Sequence, residues 1–402
     1  MKRFFKLFFI LLIILFLTGC KNVGVKDISK KKLSDDEKIY KEVDKVMDNM
    51  SLDEKIGQMF IISYNTTSYD QGLSSIMKKV EPGGFMLLGF NVSNYDGTLK
   101  LIKDIKNSNE IPLFITIDEE GGNVERLSKL EEDITHVSYM YDVGLKDDLE
   151  LTYDVGRVIG REIGVFGINV DFAPVIDVVT NKDNQVIGKR SFGADYEKVA
   201  KNGVALSNGI EKYSVISCYK HFPGHGSTME DSHYDLPIIT KDKDTLMKED
   251  LYPFKYAIQN DAKMIMIGHI AVPSLTGNNT PASMSKVIIN DLLIDEFKYK
   301  GLVITDALNM IENRDYSMDE IYTNVIDAGV DILLYPTDSV NSFNTVKKLV
   351  NEGKISEDRI NSSVRKILFY KYKYIRENYD NYLDVSNLNS EENINVINKV
   401  NS

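Results

Sequence analysis

With 402 residues, 43% of them hydrophobic and 27% charged, the chain is long enough for one large globular domain or two average ones. Sixty acidic against 48 basic residues give a formal charge of −12, which disfavours nucleic acid and anionic lipid surfaces as partners. Two cysteines in all exclude a disulfide framework.

Lys2, Arg3 and Lys6 precede an uncharged apolar run from Leu7 to Leu17, too short for a comfortable membrane span, and the small pair Thr18-Gly19 follows. With Cys20 this gives Leu-Thr-Gly-Cys, which resembles the lipobox of bacterial lipoproteins, where the cysteine is acylated and becomes the mature N-terminus. The resemblance implies a lipoprotein signal peptide over 1–19 and a lipid on Cys20 as the membrane partner. It also implies an extracytoplasmic location, on the outer face of the cytoplasmic membrane or at an outer membrane. An ordinary signal peptide or an uncleaved anchor would place the chain on the same side. Losing Lys2, Arg3 and Lys6 with the signal removes three positive charges and takes the formal charge from −12 to −15. Residues 20–38 are polar and charged and read as a tether. Cys218, in the apolar run Val215-Ile-Ser-Cys, reads as a small core residue.

Beyond the tether, short apolar and β-branched runs recur at 58–62, 84–88, 113–117, 169–176, 215–219, 264–267, 302–305 and 331–334. Segments of helical periodicity lie between them, among them 149–166, 196–210, 249–258, 287–297 and 339–350. Strands alternating with helices indicate a parallel sheet, and eight such units predict a single-domain (β/α)8 TIM-type barrel over 39–378. Most of the runs are continuous rather than alternating, as expected for strands covered on both faces. Residues 121–147 break the rhythm as an insertion after the third strand, and 379–402 read as a polar C-terminal tail.

Five successive strands end in polar or ionisable groups: Asp118-Glu119-Glu120, Asp177, Lys220-His221, Gly268-His269 and Asp306. One such aspartate is as well explained as a helix cap or turn residue. Five together predict a shared site at the barrel rim. Three of the five histidines, His221, His225 and His233, fall within fourteen residues, in a stretch where Pro223, Gly224 and Gly226 exclude a regular helix. His225 and His269 suit a structural role as well as a site role.

Acidic groups and histidines without any cofactor motif suggest hydrolysis or group transfer. Asp306, emerging from a rigid strand, suits a nucleophile. For a proton donor the composition leaves Glu119, Glu120, Glu230, Asp231 and His233 open, although Asp231-Ser-His233 spaces a carboxylate to hold an imidazole.

Lys220-His-Phe-Pro-Gly-His-Gly226 followed by Asp231-Ser-His233 resembles the signature of family 3 glycoside hydrolases, in their bacterial β-N-acetylglucosaminidase branch. Met50 to Met59, Asp118 to Arg126, Asp171 to Asp177, Val186 to Gly193, Gly301 to Ala307 and Arg359 to Leu368 are similar to further blocks of that family. Ser51 and Glu54 in the first block also form a capping box. The resemblance implies a retaining enzyme with Asp306 as nucleophile and His233 as acid/base, supported by Asp231. It implies sugar contacts from Asp118, Arg126, Arg190, Lys220 and His221, with no cofactor and no metal. A histidine acid places less negative charge near the leaving group than a carboxylate would, which suits anionic aglycones such as muramic acid, or phosphate as acceptor. The implied partner is an N-acetylglucosamine-containing glycan, from peptidoglycan fragments or chitin oligomers, and a monomer is favoured. At 181–185 the chain reads Asn-Lys-Asp-Asn-Gln where the family usually carries prolines, which leaves that loop's shape open. Met310 and Met318 read as packing.

Three rival readings stand beside this one. A zinc hydrolase would use His221, His225, Asp231 and His233, but Pro223 and Gly224 remove the helical spacing such ligands need. A non-catalytic sugar-binding lipoprotein would have no need of the nucleophile and dyad. A β-glucosidase or a phosphorylase differs in substrate or acceptor only.

Overall fold

Eight short strands form the centre of the molecule, whose computed structural model describes residues 33–228, 236–312 and 316–402. The expected signal peptide, Cys20, Asp231 and His233 lie outside the described residues. The unit containing the strands runs Ile39–Ser402.

The strands are β1 (Phe60–Ile62), β2 (Gly84–Met86), β3 (Phe114–Ile117), β6 (Val170–Asp171), β7 (Ile216–Phe222), β8 (Met264–Ile267), β9 (Leu302–Thr305) and β10 (Leu333–Leu334). They pair in parallel in the order β10-β1-β2-β3-β6-β7-β8-β9, and a bridge between Ile304 and Ile332 joins the two ends into a nearly closed, TIM-like ring. Every strand residue is buried, which is why the runs are continuously apolar instead of alternating. A separate antiparallel ribbon, β4 (Glu119–Gly121) with β5 (Val124–Glu125), leaves the ring directly after β3.

Two strands differ from expectation. The fourth is cut to two residues because Pro174, which has no N–H to donate, follows three residues later. The chain nevertheless stays beside β7: Cys218 N–H donates to Ala173 O and Ile176 N–H to Lys220 O, each at 2.9 Å. The fifth is longer than its apolar run, so Lys220 and His221 sit within β7 itself.

The surrounding helices follow local rules. The capping box expected at Ser51 and Glu54 is present, with reciprocal bonds of 3.2 and 2.6 Å. Helices Leu149–Val165 and Tyr196–Glu211 pack backbone to backbone; a Cβ on Gly156 would lie 2.1 Å from Leu206 O, and one on Gly209 2.1 Å from Tyr153 O.

Residues 379–402 are not a free tail. Helix Glu391–Asn401 buries Asn393, Val396, Ile397 and Val400, while Arg161 of helix Leu149–Val165 donates to Glu392 at 2.7 Å and to Asn393 at 3.1 Å. The segment looked polar because only one face of this helix is apolar, and that face is covered.

Candidate functional site

A cavity of about 380 Å³ opens among the C-terminal ends of the strands. Asp118, Arg126, Arg190, Lys220, His221 and Asp306 all line it, so six of the eight expected catalytic and sugar-binding residues meet in one place. The other two, Asp231 and His233, are the pair outside the described residues.

Its polar wall is a chain of ion pairs. Lys220 Nζ donates to Asp118 Oδ1 at 2.8 Å and lies 2.5 Å from Glu120 Oε1. Arg190 closes a fork on Glu120 with bonds of 2.7 and 2.8 Å, and Arg126 Nη2 reaches Asp118 Oδ2 at 3.2 Å. Burial alone would raise both carboxyls. For Asp118, Lys220 and Arg126 reverse that effect and hold the group below its usual range; for Glu120, Arg190 and Lys220 do so. Lys220 is held charged against its own desolvation by the same two acids.

The open choice of proton donor narrows here. Glu120 lines the cavity but is kept ionised, so it has no proton to give. Glu119 faces away from the cavity: its Oε2 accepts the N–H of Arg126 (2.8 Å) and of Leu127 (3.2 Å), clasping the ribbon that carries Arg126. Burial pushes the Glu119 carboxyl well up. Glu230, with Asp231 and His233, falls outside the described residues.

Asp306 follows β9. Its N–H donates to Ile267 O of β8 at 2.9 Å, and Ala307 N–H donates to its Oδ1 at 2.7 Å. Burial would neutralise it, but His221 and His269 nearby hold it ionised, below the ordinary carboxylate range. His269 does not line the cavity. It is fully buried, joined to Ser283 Oγ (2.7 Å) and Ala307 O (3.1 Å), and braces the turn that presents Asp306.

The histidine loop is organised from below. Asp177, with no exposed surface, bonds His221 Nδ1 through Oδ2 at 2.7 Å. Its Oδ1 accepts the N–H of His225 at 2.6 Å and of His221 at 3.2 Å. His225 reaches the cavity wall, with Nδ1 on Thr228 Oγ1 at 2.8 Å. The loop whose shape the missing prolines left open is tied to it: Asn184 Nδ2 donates to His225 O at 2.8 Å, and Ile187 N–H donates to Asn184 Oδ1 at 2.9 Å.

Three further residues on the wall were not expected there. Met310 lines the cavity, which corrects its reading as ordinary packing. Asn309 and Tyr335 line it too. Tyr335 directly follows β10 and takes a left-handed φ of 45°, a conformation costly for a side chain of this size. Two backbone bonds lock it there, Tyr335 N–H to Ile61 O (2.8 Å) and Asn309 N–H to Tyr335 O (3.2 Å). Its position just beyond a strand end was the available signal; its apolar ring disguised it among core residues.

The arrangement sets the ionised Asp306, at a rigid strand end, in the same cavity as a charged, hydrogen-bonding wall, in a space suited to one small polar ring. The model of the glycosyl hydrolase family 3 N terminal domain matches residues 51–369. Beta-hexosaminidase A of Pseudoalteromonas piscicida is 32% identical over 338 residues, covering 76% of this chain and 56% of that protein. The chain thus spans just over half the length of that relative. Beta-hexosaminidase LpqI of Mycobacterium tuberculosis is 31% identical over 292 residues, covering 71% of this chain and 73% of LpqI. Among solved structures, a glycoside hydrolase family 3 beta-N-acetylglucosaminidase from Paenibacillus sp. superposes with a TM-score of 0.81 at 31% identity, covering 87% of this chain and 68% of that one.

Proposed function

This chain belongs to glycosyl hydrolase family 3, and from that premise we propose that it is a retaining exo-β-N-acetylglucosaminidase acting on peptidoglycan fragments. The observation that carries this reading is Asp306: an ionised carboxylate on the wall of a cavity with room for one sugar ring, which a cluster of hydrogen-bonding groups also lines. Names printed for the relatives, hexosaminidase and β-N-acetylglucosaminidase, support the sugar.

In this mechanism Asp306 attacks the anomeric carbon while His233, held by Asp231, protonates the departing glycosidic oxygen. Water, deprotonated by His233, then releases the sugar from Asp306 with net retention. Asp118 accepts two sugar hydroxyls; Arg126, Arg190 and Lys220 donate to the remaining hydroxyls and the N-acetyl carbonyl, and His221 accepts a hydroxyl through its ring. Because Asp118 is shared between Lys220 and Arg126, it is fixed before substrate arrives and loses little freedom on binding. A lipid on Cys20 would hold the enzyme outside the cytoplasmic membrane, where a glycan alternating N-acetylglucosamine and N-acetylmuramic acid is at hand.

The test is incubation of the purified soluble chain with defined muropeptides, with and without phosphate, and mass analysis of the products. Release of free N-acetylglucosamine by the wild type and its loss in Asp306→Ala is the expected result. Sugar phosphate as product would replace hydrolysis by phosphorolysis, and undiminished turnover in Asp306→Ala would remove the proposed nucleophile. Mass analysis of the mature N-terminus tests the lipid.

A further inference from the structure

Asp177 has no place in the mechanism above and does not line the cavity, yet three N–H groups converge on it. The two oxygens carry different loads. Oδ1 takes the His225 N–H at 2.6 Å and shares the His221 N–H, at 3.2 Å, with Oδ2 at 3.3 Å; Oδ2 also stands 2.7 Å from the His221 ring nitrogen Nδ1. An ionised carboxylate only accepts, so Nδ1 of His221 must carry a hydrogen, and Nε2 is the ring nitrogen left for the cavity that His221 lines.

We propose that Asp177 is a positioning residue for the glycosidase reaction: it fixes the tautomer and ring orientation of His221, so that Nε2 meets the sugar in one defined state. This rests on the reading of the Asp306 cavity as the glycosidase site. The surroundings leave Asp177 as the group that sets the tautomer. The His225 ring stands edge-on to that of His221 at 6.0 Å between centroids, and its own Nδ1 is engaged by Thr228. Asp306 approaches from the end of β9, and Lys220, the preceding residue, is committed to Asp118 and Glu120.

Asp177→Asn separates this role from mere support of the loop. The two backbone donors require an acceptor, so the new Oδ1 stays with them and the amide NH₂ turns toward His221 Nδ1. A donor facing Nδ1 forces the proton to Nε2, which inverts the tautomer while both backbone bonds to Oδ1 survive. The experiment uses the ¹⁵N-histidine-labelled soluble chain, with the His221 signals assigned by their absence in His221→Gln. Wild type is expected to show a protonated Nδ1, and Asp177→Asn a protonated Nε2. Melting temperature should be retained, and kcat/KM for a chromogenic N-acetylglucosaminide should fall on the order of 10²-fold or more. Persistence of Nδ1–H in Asp177→Asn, or an inverted tautomer with unchanged kcat/KM, would overturn the proposal. So would a loss of activity that merely tracks a loss of folded protein. The tautomer is read without turnover, so an inactive wild type would count against the glycosidase reading and be distinguishable from failure of this one.

Discussion

Lys220 Nζ and Glu120 Oε1 lie 2.5 Å apart with both side chains 98% buried, so a full ion pair forms part of the cavity wall with almost no water around it. Such a pair adds little net stability, but removing one partner strands the other charge. Here the stranded charge would be Lys220, which also anchors Asp118, and Arg190 would lose its fork.

Glu120→Gln is therefore expected to cost about 3 kcal/mol of stability near neutral pH, read by urea unfolding. The pH dependence has a definite sign. The folded-state carboxyl is held below its ordinary value of 4.5, so the stabilisation is present above that value and lost as pH falls through the lower folded-state one. The gap between wild type and variant should close on acidification. A gap that stays constant from pH 6 to pH 2 would contradict the ionised pairing.

His233→Ala should slow the first chemical step most for poor leaving groups and least for activated aryl glycosides, with losses of about 10²–10⁴ for the former. A series of aryl N-acetylglucosaminides with graded leaving groups measures this. Equal losses across the series would remove the proton-donor role from His233.

Tyr335 lines the cavity and is held by backbone bonds on either side. Tyr335→Ala should raise KM about tenfold or more with a smaller change in kcat, the value of one apolar side chain withdrawn from a sugar's C–H face. Tyr335→Phe should behave as wild type. Equal effects of the two substitutions would point to the hydroxyl instead.

Far from this wall, Lys106 is buried beneath the rings of Tyr379 and Tyr382, 4.6 and 4.7 Å away, and donates to Tyr379 O at 2.6 Å. Burial lowers its pKa from 10.5 to about 8. Below pH 8 the folded state therefore carries a constant penalty. Between 8 and 10.5 the unfolded chain binds the extra proton, so stability rises with pH. Relative to Lys106→Met, wild type should gain at most ~3 kcal/mol across that window. A flat difference curve would exclude the shift.

Much of this was readable from residue order. All eight strands begin within apolar runs because both faces of each are covered, which makes the runs easy to see. The rim residues were readable for the same reason: Asp118, His221 and Asp306 interrupt apolar runs where a buried strand would not place them without purpose. Other features were hidden. Glu119 and Glu120 are neighbours of one type, and only the antiparallel ribbon, which turns them to opposite sides, makes one a wall residue and the other a clasp. Asp177 passed for a simple strand end, since three donors from a segment more than forty residues later are invisible in a linear chain. Tyr335 and Met310 have side chains indistinguishable from core.

The carboxylate of Glu162 receives N–H bonds from Thr135, Asn389 and the Asn393 side chain, so it stitches the last helix to the insertion that runs back through Val137 and Glu125 to Arg126. Trimming the chain before Ser390 for convenience of expression would therefore do more than shorten it. It would unpick a seam whose other end reaches the cavity-lining guanidinium of Arg126, and a well-behaved shortened protein would carry an altered cavity wall for reasons remote from the cut.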